Sequence, residues 1–297
     1  MNDIHPFRAA AWMSGSILGF SSMAVAGREI GTALDTFEVM TYRSAIGIFT
    51  VLLVSTLAGT RGQIGTRHLK VHILRNVFHF AGQNLWLYAL LLIPLAQLFA
   101  LEFSYPIIVA LTAPLFLGER LPPVRILTAF VGFVGILIVA RPWAAGGLSL
   151  GLVAALLCAV GFAGSAIVTK RLTRRTTITE ILFWLAVTQF VFGLTLAGID
   201  GDVALPLTED IPWLIVIGLA GLIAHFCLTR ALSLAPASVV TPIDFLRLPI
   251  IGAVGMALYG EPLEIWVFVG GAVIFAANLI NVQVEARSRR VAAVTVT

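Results

Sequence analysis

The chain has 297 residues, 59% hydrophobic and only 11% charged, with a mean hydropathy of +0.99; a soluble domain is roughly 45–50% apolar and about 25% charged, so a water-soluble fold is excluded. A formal charge of +4 with a pI near 9.5 could suggest a nucleic-acid partner. The basic residues sit at the ends of apolar runs rather than in one patch, however, which excludes that partner and reads as membrane topology. Apolar runs of about 20 residues without two-residue alternation select a helical bundle over a transmembrane β-barrel.

In chain order, runs bounded by charges, Pro or Gly place ten spans near 9–28, 36–57, 71–92, 95–118, 122–140, 147–169, 178–199, 211–233, 237–260 and 263–283. The first run has no basic stretch before it and is long enough to span, so no cleaved leader is expected. Cys158 and Cys227 lie inside apolar runs with no metal-like spacing and read as core residues. A cytoplasmic N-terminus assigns Arg8, the Arg61 to Arg75 cluster, Arg120, Arg125, Lys170 to Arg175, Arg230 and the C-terminal arginines to the inside. Only Arg28 and Arg141 fall outside, together with the acidic loop from Asp200 to Asp210. Both termini are therefore expected in the cytoplasm.

The chain is internally duplicated. Ala89 to Pro94 recurs as Ala231 to Pro236, and Gly118-Glu119 with Leu121 recurs as Gly260-Glu261 with Leu263, in each case 142 residues later. The same ungapped offset aligns Phe103 with Phe245, Ile108 with Ile250, Val131 with Val273 and Glu102 with Asp244. Five spans per copy is an odd number, so the second copy enters the membrane from the opposite side. The fold class expected is all-α and integral to the membrane, with ten transmembrane helices as two inverted five-helix repeats, residues 1–145 and 146–297. In that architecture a substrate site lies near the midplane where the halves meet.

Trp12-Met-Ser-Gly-Ser with Phe20-Ser-Ser-Met-Ala-Val, then Tyr42-Arg43, then Ala89-Leu to Pro94, Pro106, Gly118-Glu119-Arg120 and Gly132-Phe-Val-Gly135, resemble the EamA-type transporters of the drug/metabolite transporter superfamily. The second half repeats the pattern at Ala231-Leu, Pro236 and Gly260-Glu261, so the resemblance covers nearly the whole chain. It implies a carrier of small metabolites, with an amino-acid-exporting branch among the relatives and others that move purines, other metabolites or drugs. Glu102, Asp244 and Arg247 depart from the family, which usually has small or apolar residues there.

An ionisable side chain within the bilayer is costly and normally faces the bundle interior with a partner. Span depth puts Arg43 and Glu102 roughly a third of the way in from the outside, a pair if their helices meet. His79, His225, Asp244 and Arg247 fall a third of the way in from the cytoplasm, and Asp244 and Arg247, three apart, pair along one helix face. Each pair reads either as a gate or as a brace between helices. His79, Gln83 and Trp86 share one face of the third span and form a candidate pocket lining, with Trp12, Ser16, Tyr105, Phe162 and His225 completing a substrate pathway. His79 and His225 also suit proton coupling, since an unperturbed histidine titrates near pH 6.5. Pro106 and Pro249 are candidate hinges, breaking the backbone ladder in corresponding places.

No phosphate-binding loop, zinc-protease helix or paired-cysteine motif occurs, so neither cofactor nor metal is expected. An intramembrane lipid-modifying enzyme would need clustered catalytic Asp or His at the interface, which the sequence lacks. The expectation is a secondary transporter of the bacterial inner membrane, a monomer or weak dimer. It would export aromatic or neutral amino acids by alternating access, with carriage of nucleobases, cofactor precursors or drugs as the alternative.

Overall fold

The computed structural model describes residues 5–117, 123–141, 143, 148–172, 175–199, 201–235, 240 and 243–294. Gly118 to Leu121, Arg174, Asp200, Pro236 and the expected repeat boundary near Gly146 lie outside the described residues. The described chain is helical: α1 (Pro6–Ile30), α2 (Thr36–Leu57), α3 (Leu69–Leu92), α4 (Leu95–Glu102), α5 (Tyr105–Leu117), α6 (Pro123–Ala140), α7 (Leu150–Leu172), α8 (Ile178–Ala197), α9 (Ile211–Leu234), α10 (Arg247–Tyr259) and α11 (Ile265–Val294). Seven stretches are long and apolar enough to cross a membrane, one of them running through α4 into α5. The helical parts of α6 and α10 are apolar but shorter. Phe49, Leu57, Leu127, Phe130 and Ile265 are exposed on the outside of the bundle, as lipid-facing side chains of a multi-pass membrane protein would be.

The helix ends follow local chemistry. Asp35 caps α2 by accepting from the Glu38 amide at 2.7 Å, and the Glu38 carboxylate accepts from the Asp35 amide at 2.8 Å, a reciprocal capping box. Gly260 ends α10 in the left-handed region, φ 63°, where a side chain would be strained.

Four helix pairs make the broad contacts: α1 with α9, α3 with α7, α2 with α8, and α6 with α11, while α4 packs on α10. Small residues permit the close approaches. A Cβ added at Gly19 of α1 would sit 2.9 Å from Ala220 O and from Ala224 Cβ of α9; one added at Gly161 of α7 would sit 2.7 Å from Gly82 Cα of α3. Gly19 and Gly161 are 142 residues apart, as are Gly82 and Ala224, so one interface is built twice.

The fourth and ninth spans are not single kinked helices. α4 stops at Glu102, Phe103-Ser104 form a turn, and α5 starts at Tyr105; the ninth span turns at Phe245-Leu246 and restarts at Arg247. The two turns are again 142 residues apart. Pro106 and Pro249 stand in the first turn of α5 and α10, where a missing N–H costs nothing. The Pro106 ring would collide with the carbonyl of Glu102, the residue at which α4 ends.

One end of the bundle is tied together. Arg28 Nη1 lies 2.9 Å from Glu261 Oε1 and Arg28 Nη2 donates to Ile93 O at 2.9 Å; Glu261 Oε2 accepts from the Leu95 amide at 2.8 Å. Tyr259 donates to Glu29 at 2.8 Å, with the Arg28 guanidinium over its ring. This network joins α1, the α3–α4 turn and the α10–α11 link.

Candidate functional site

Inside the bundle, four rings form a chain across four helices. Phe20 of α1 meets His225 of α9 edge-on, with centroids 5.1 Å apart. His225 faces His79 of α3 at 6.1 Å, and His79 faces Phe162 of α7 at 5.8 Å. Gln189 of α8 holds His79 Nδ1 at 2.5 Å and so fixes the ring. Phe20 and Phe162 are 142 residues apart, and His225 occupies the repeat position of Gln83. The chain therefore begins and ends on equivalent residues of the two copies. Phe20, Phe162 and His225 are only partly buried.

Beside this chain lies an arginine cage. Arg247, 3% exposed, is surrounded by Phe20, Phe99 and Phe103, with its guanidinium carbon 4.6, 5.0 and 4.9 Å from their centroids. Its Nη2 donates to Glu102 Oε1 at 3.3 Å, and Glu102 Oε2 accepts from Trp86 Nε1 at 2.9 Å. Phe245 adds a second aromatic layer, 5.3 Å from Phe103 and stacked at 4.4 Å on Phe275.

Of the two expected ion pairs, Asp244 with Arg247 forms and Arg43 with Glu102 does not. Glu102 pairs with Arg247, not with Arg43, and the two break points that carry them meet at one level. The separate depths inferred from span edges do not hold, because each residue sits beside a turn inside its span. Asp244 lies only 3.9 Å from Arg247. The turn at Phe245-Leu246 falls between them, so they do not share a continuous helix face. Among the described residues no carboxylate is within ion-pair distance of Arg43, whose Nη1 contacts Met40 Sδ at 3.7 Å.

The expected pocket stripe is divided. His79 joins the ring chain, Trp86 is buried as the donor to Glu102, and the buried Gln83 Nε2 lacks a partner. Ser16 is fully buried one turn from Phe20, with an unpartnered hydroxyl. Tyr105 starts α5 within electrostatic reach of Asp244, Glu102 and Arg247. Trp12 is elsewhere, packed edge-on to the exposed Phe226 at 5.7 Å and under Arg230. Sequence reasoning missed Phe20, Phe99, Arg75 and Gln189. Applying the 142-residue offset to Phe162 would have found Phe20. Among the described residues no group of three or more His, Cys, Asp or Glu is placed to hold a metal ion.

Ring faces, neutral donors and fixed cations in a two-copy interior suit binding rather than bond-making. Residues 7–141 and 149–283 each match the EamA-like transporter family. This chain belongs to that family. The matches to the EamA-like transporter family begin 142 residues apart, the offset of the repeated Ala-Leu and Gly-Glu motifs. This EamA-like transporter is 32% identical over 290 residues to a riboflavin transporter of Brucella anthropi, covering 94% of this chain and 100% of the relative. It is 26% identical over 277 residues to an S-adenosylmethionine uptake transporter of Rickettsia bellii, covering 93% and 94%. A solved crystal structure superposes with a TM-score of 0.64 over 94% of this chain and 98% of the other at 19% identity, a likeness of fold alone. Family and relatives bear the names of small-molecule transporters rather than enzymes.

Proposed function

We propose that this chain is a ten-span carrier of two inverted repeats, residues 1–145 and 146–297. It moves a small ring-bearing metabolite across the bacterial inner membrane by alternating access, with both termini cytoplasmic. The observation that carries the reading is the ring chain Phe20–His225–His79–Phe162, which links both copies and ends on equivalent residues. The packing supports it: exchanging the copies turns the α1–α9 pair into the α7–α3 pair and returns α2–α8 and α6–α11 to themselves. Breaks at matching positions of two spans are the form in which carriers of this architecture place helix ends at a substrate site. They give the proline-marked turns a role as hinges.

A planar heteroaromatic of the cofactor class, such as riboflavin, is the first substrate candidate, because a full-length relative is named for one. Export of aromatic amino acids is the second, since they offer a ring to the same faces. Counterflow in proteoliposomes with labelled riboflavin, phenylalanine and tryptophan tests both. An aromatic pair is worth about 0.5–1.5 kcal/mol, so Phe20→Ala and Phe162→Ala should each weaken apparent affinity by about 2- to 12-fold, while the lipid-facing Phe49→Ala should not. Unchanged affinity in both inner variants would remove the site.

A further inference from the structure

Two arginines flank the histidine pair with no carboxylate of the described residues within 4.0 Å. Arg75 of α3 is buried; its Nε donates to Thr169 Oγ1 at 3.1 Å and its Nη1 to Asn76 Oδ1 at 2.9 Å, both neutral. Arg43 of α2 is partly buried, and its Nη2 points at Gly221 of α9, where an added Cβ would lie 3.5 Å from it. Gly221 is the repeat position of His79, so α9 carries no side chain where α3 carries an imidazole, and Arg43 Nη2 reaches that position beside Met23 Sδ, 3.3 Å from where a Cβ would stand. Both arginines lie within electrostatic reach of His79 and of His225.

The carboxylates nearby are engaged elsewhere. Glu102 and Asp244 face Arg247, Glu180 faces His72 at 3.1 Å, Glu38 accepts from the Asp35 and Ala204 amides, and Glu261 faces Arg28. Among the described residues, neither Arg43 nor Arg75 has an acidic partner within 4.0 Å. A charge held inside the bilayer without compensation is costly, and two of one sign near a shared site add repulsion. Arg75 gives two of its N–H groups to fixed neutral acceptors, whereas Arg43 has only the Met40 thioether among its hydrogen-bond contacts. A guanidinium so placed is a ready fork for a carboxylate or phosphate.

We infer that the metabolite carried is an anion, and that its carboxylate or phosphate docks on Arg43, in the field of Arg75, while its ring lies against the Phe20–His225–His79–Phe162 chain. This rests on the ring-carrier reading and adds the charge of the cargo. The geometry orients the cargo as well, with the ring in the inter-copy chain and the charged end toward α2 and α9.

Matched pairs test it on the full chain. Riboflavin 5′-phosphate against riboflavin, and indole-3-acetate against indole-3-acetamide, are compared by thermal unfolding of the purified protein and by competition in counterflow; inorganic phosphate and acetate serve as ringless anions. The anionic member of at least one pair is expected to bind about 10-fold more tightly or better, the scale of one charge-assisted hydrogen bond. Arg43→Gln should erase the preference, and Arg43→Lys should restore part of it. The phosphate and carboxylate pairs show which anion is taken. Equal or better performance by the neutral member of both pairs overturns the inference, as does a preference unchanged in Arg43→Gln or no binding of any anion. Should Arg43→Gln not fold, the wild-type comparison and Arg43→Lys still decide. Neutral rings carried in a Phe20- and Phe162-dependent way, without charge preference, would keep the ring carrier and remove the anion. Ringless anions carried as well as ringed ones would keep the anion and remove the ring reading.

Discussion

Replacing Arg247 should harm the fold more than replacing Glu102, although the two are partners. Arg247 serves two carboxylates, Glu102 at 3.3 Å and Asp244 at 3.9 Å, so Arg247→Gln strands both. Glu102 would keep only the Trp86 N–H, and Asp244 already has an unpartnered Oδ1. Removing one member of a buried pair costs about 3–5 kcal/mol, much of it the price of the charge left behind. In Glu102→Gln the amide oxygen can still accept from Trp86, and Arg247 keeps Asp244 and its three rings. The loss is then nearer one charge-assisted hydrogen bond, about 1.5–3 kcal/mol. Because the residues share one network, the double variant should fall short of the summed single losses by about 0.5–3 kcal/mol. Reversible SDS unfolding of the purified protein, followed by far-UV circular dichroism, measures all three. A loss in Glu102→Gln equal to or larger than that in Arg247→Gln, or strict additivity, would refute the reasoning.

Topology and packing give two further tests. In a background lacking Cys158 and Cys227, cysteines placed at Thr176 and Asp202 should label from opposite faces of the membrane, and labelling of both from one face would end the inverted-repeat proposal. Gly161→Ala forces a Cβ toward Gly82 and should cost about 1–3 kcal/mol by overpacking, whereas Gly62→Ala, with open space around it, should leave detergent stability unchanged; equal effects would show that the α3–α7 contact is looser than described.

What could be read in the chain, and what could not, divides along a physical line. Hydropathy and the 142-residue offset are properties of long stretches, and they placed the helices and paired the Gly-Glu and Ala-Leu motifs. The breaks at Phe103-Ser104 and Phe245-Leu246 were hidden because the sequence stays largely apolar on both sides of each turn. That concealment also misled the pairing of charges. Asp244 and Arg247 do pair, but across the turn between them rather than along one continuous helix face. Arg43 and Glu102 were matched by depth, which a broken helix does not preserve. Trp12, Ser16 and Phe20 are spaced by four, so each step drifts about 40° around the helix; by Trp12 the face has swung to Phe226 and Arg230. Arg75 was counted as a boundary charge, yet its neighbours Thr169 and Asn76 hold it inside.

The network around Arg28 and Glu261 reaches main-chain atoms of the α3–α4 turn, Ile93 O and Leu95 N, rather than side chains. Changes of side chain at positions 93 and 95, proline at 95 excepted, leave those two bonds chemically intact, so this end of the bundle is robust to drift there and fragile at the two charged residues. The same two side chains touch all three segments at once. Moving any one segment alone breaks bonds to the other two, so this end should come undone in a single cooperative step, with no stable rung between shut and open.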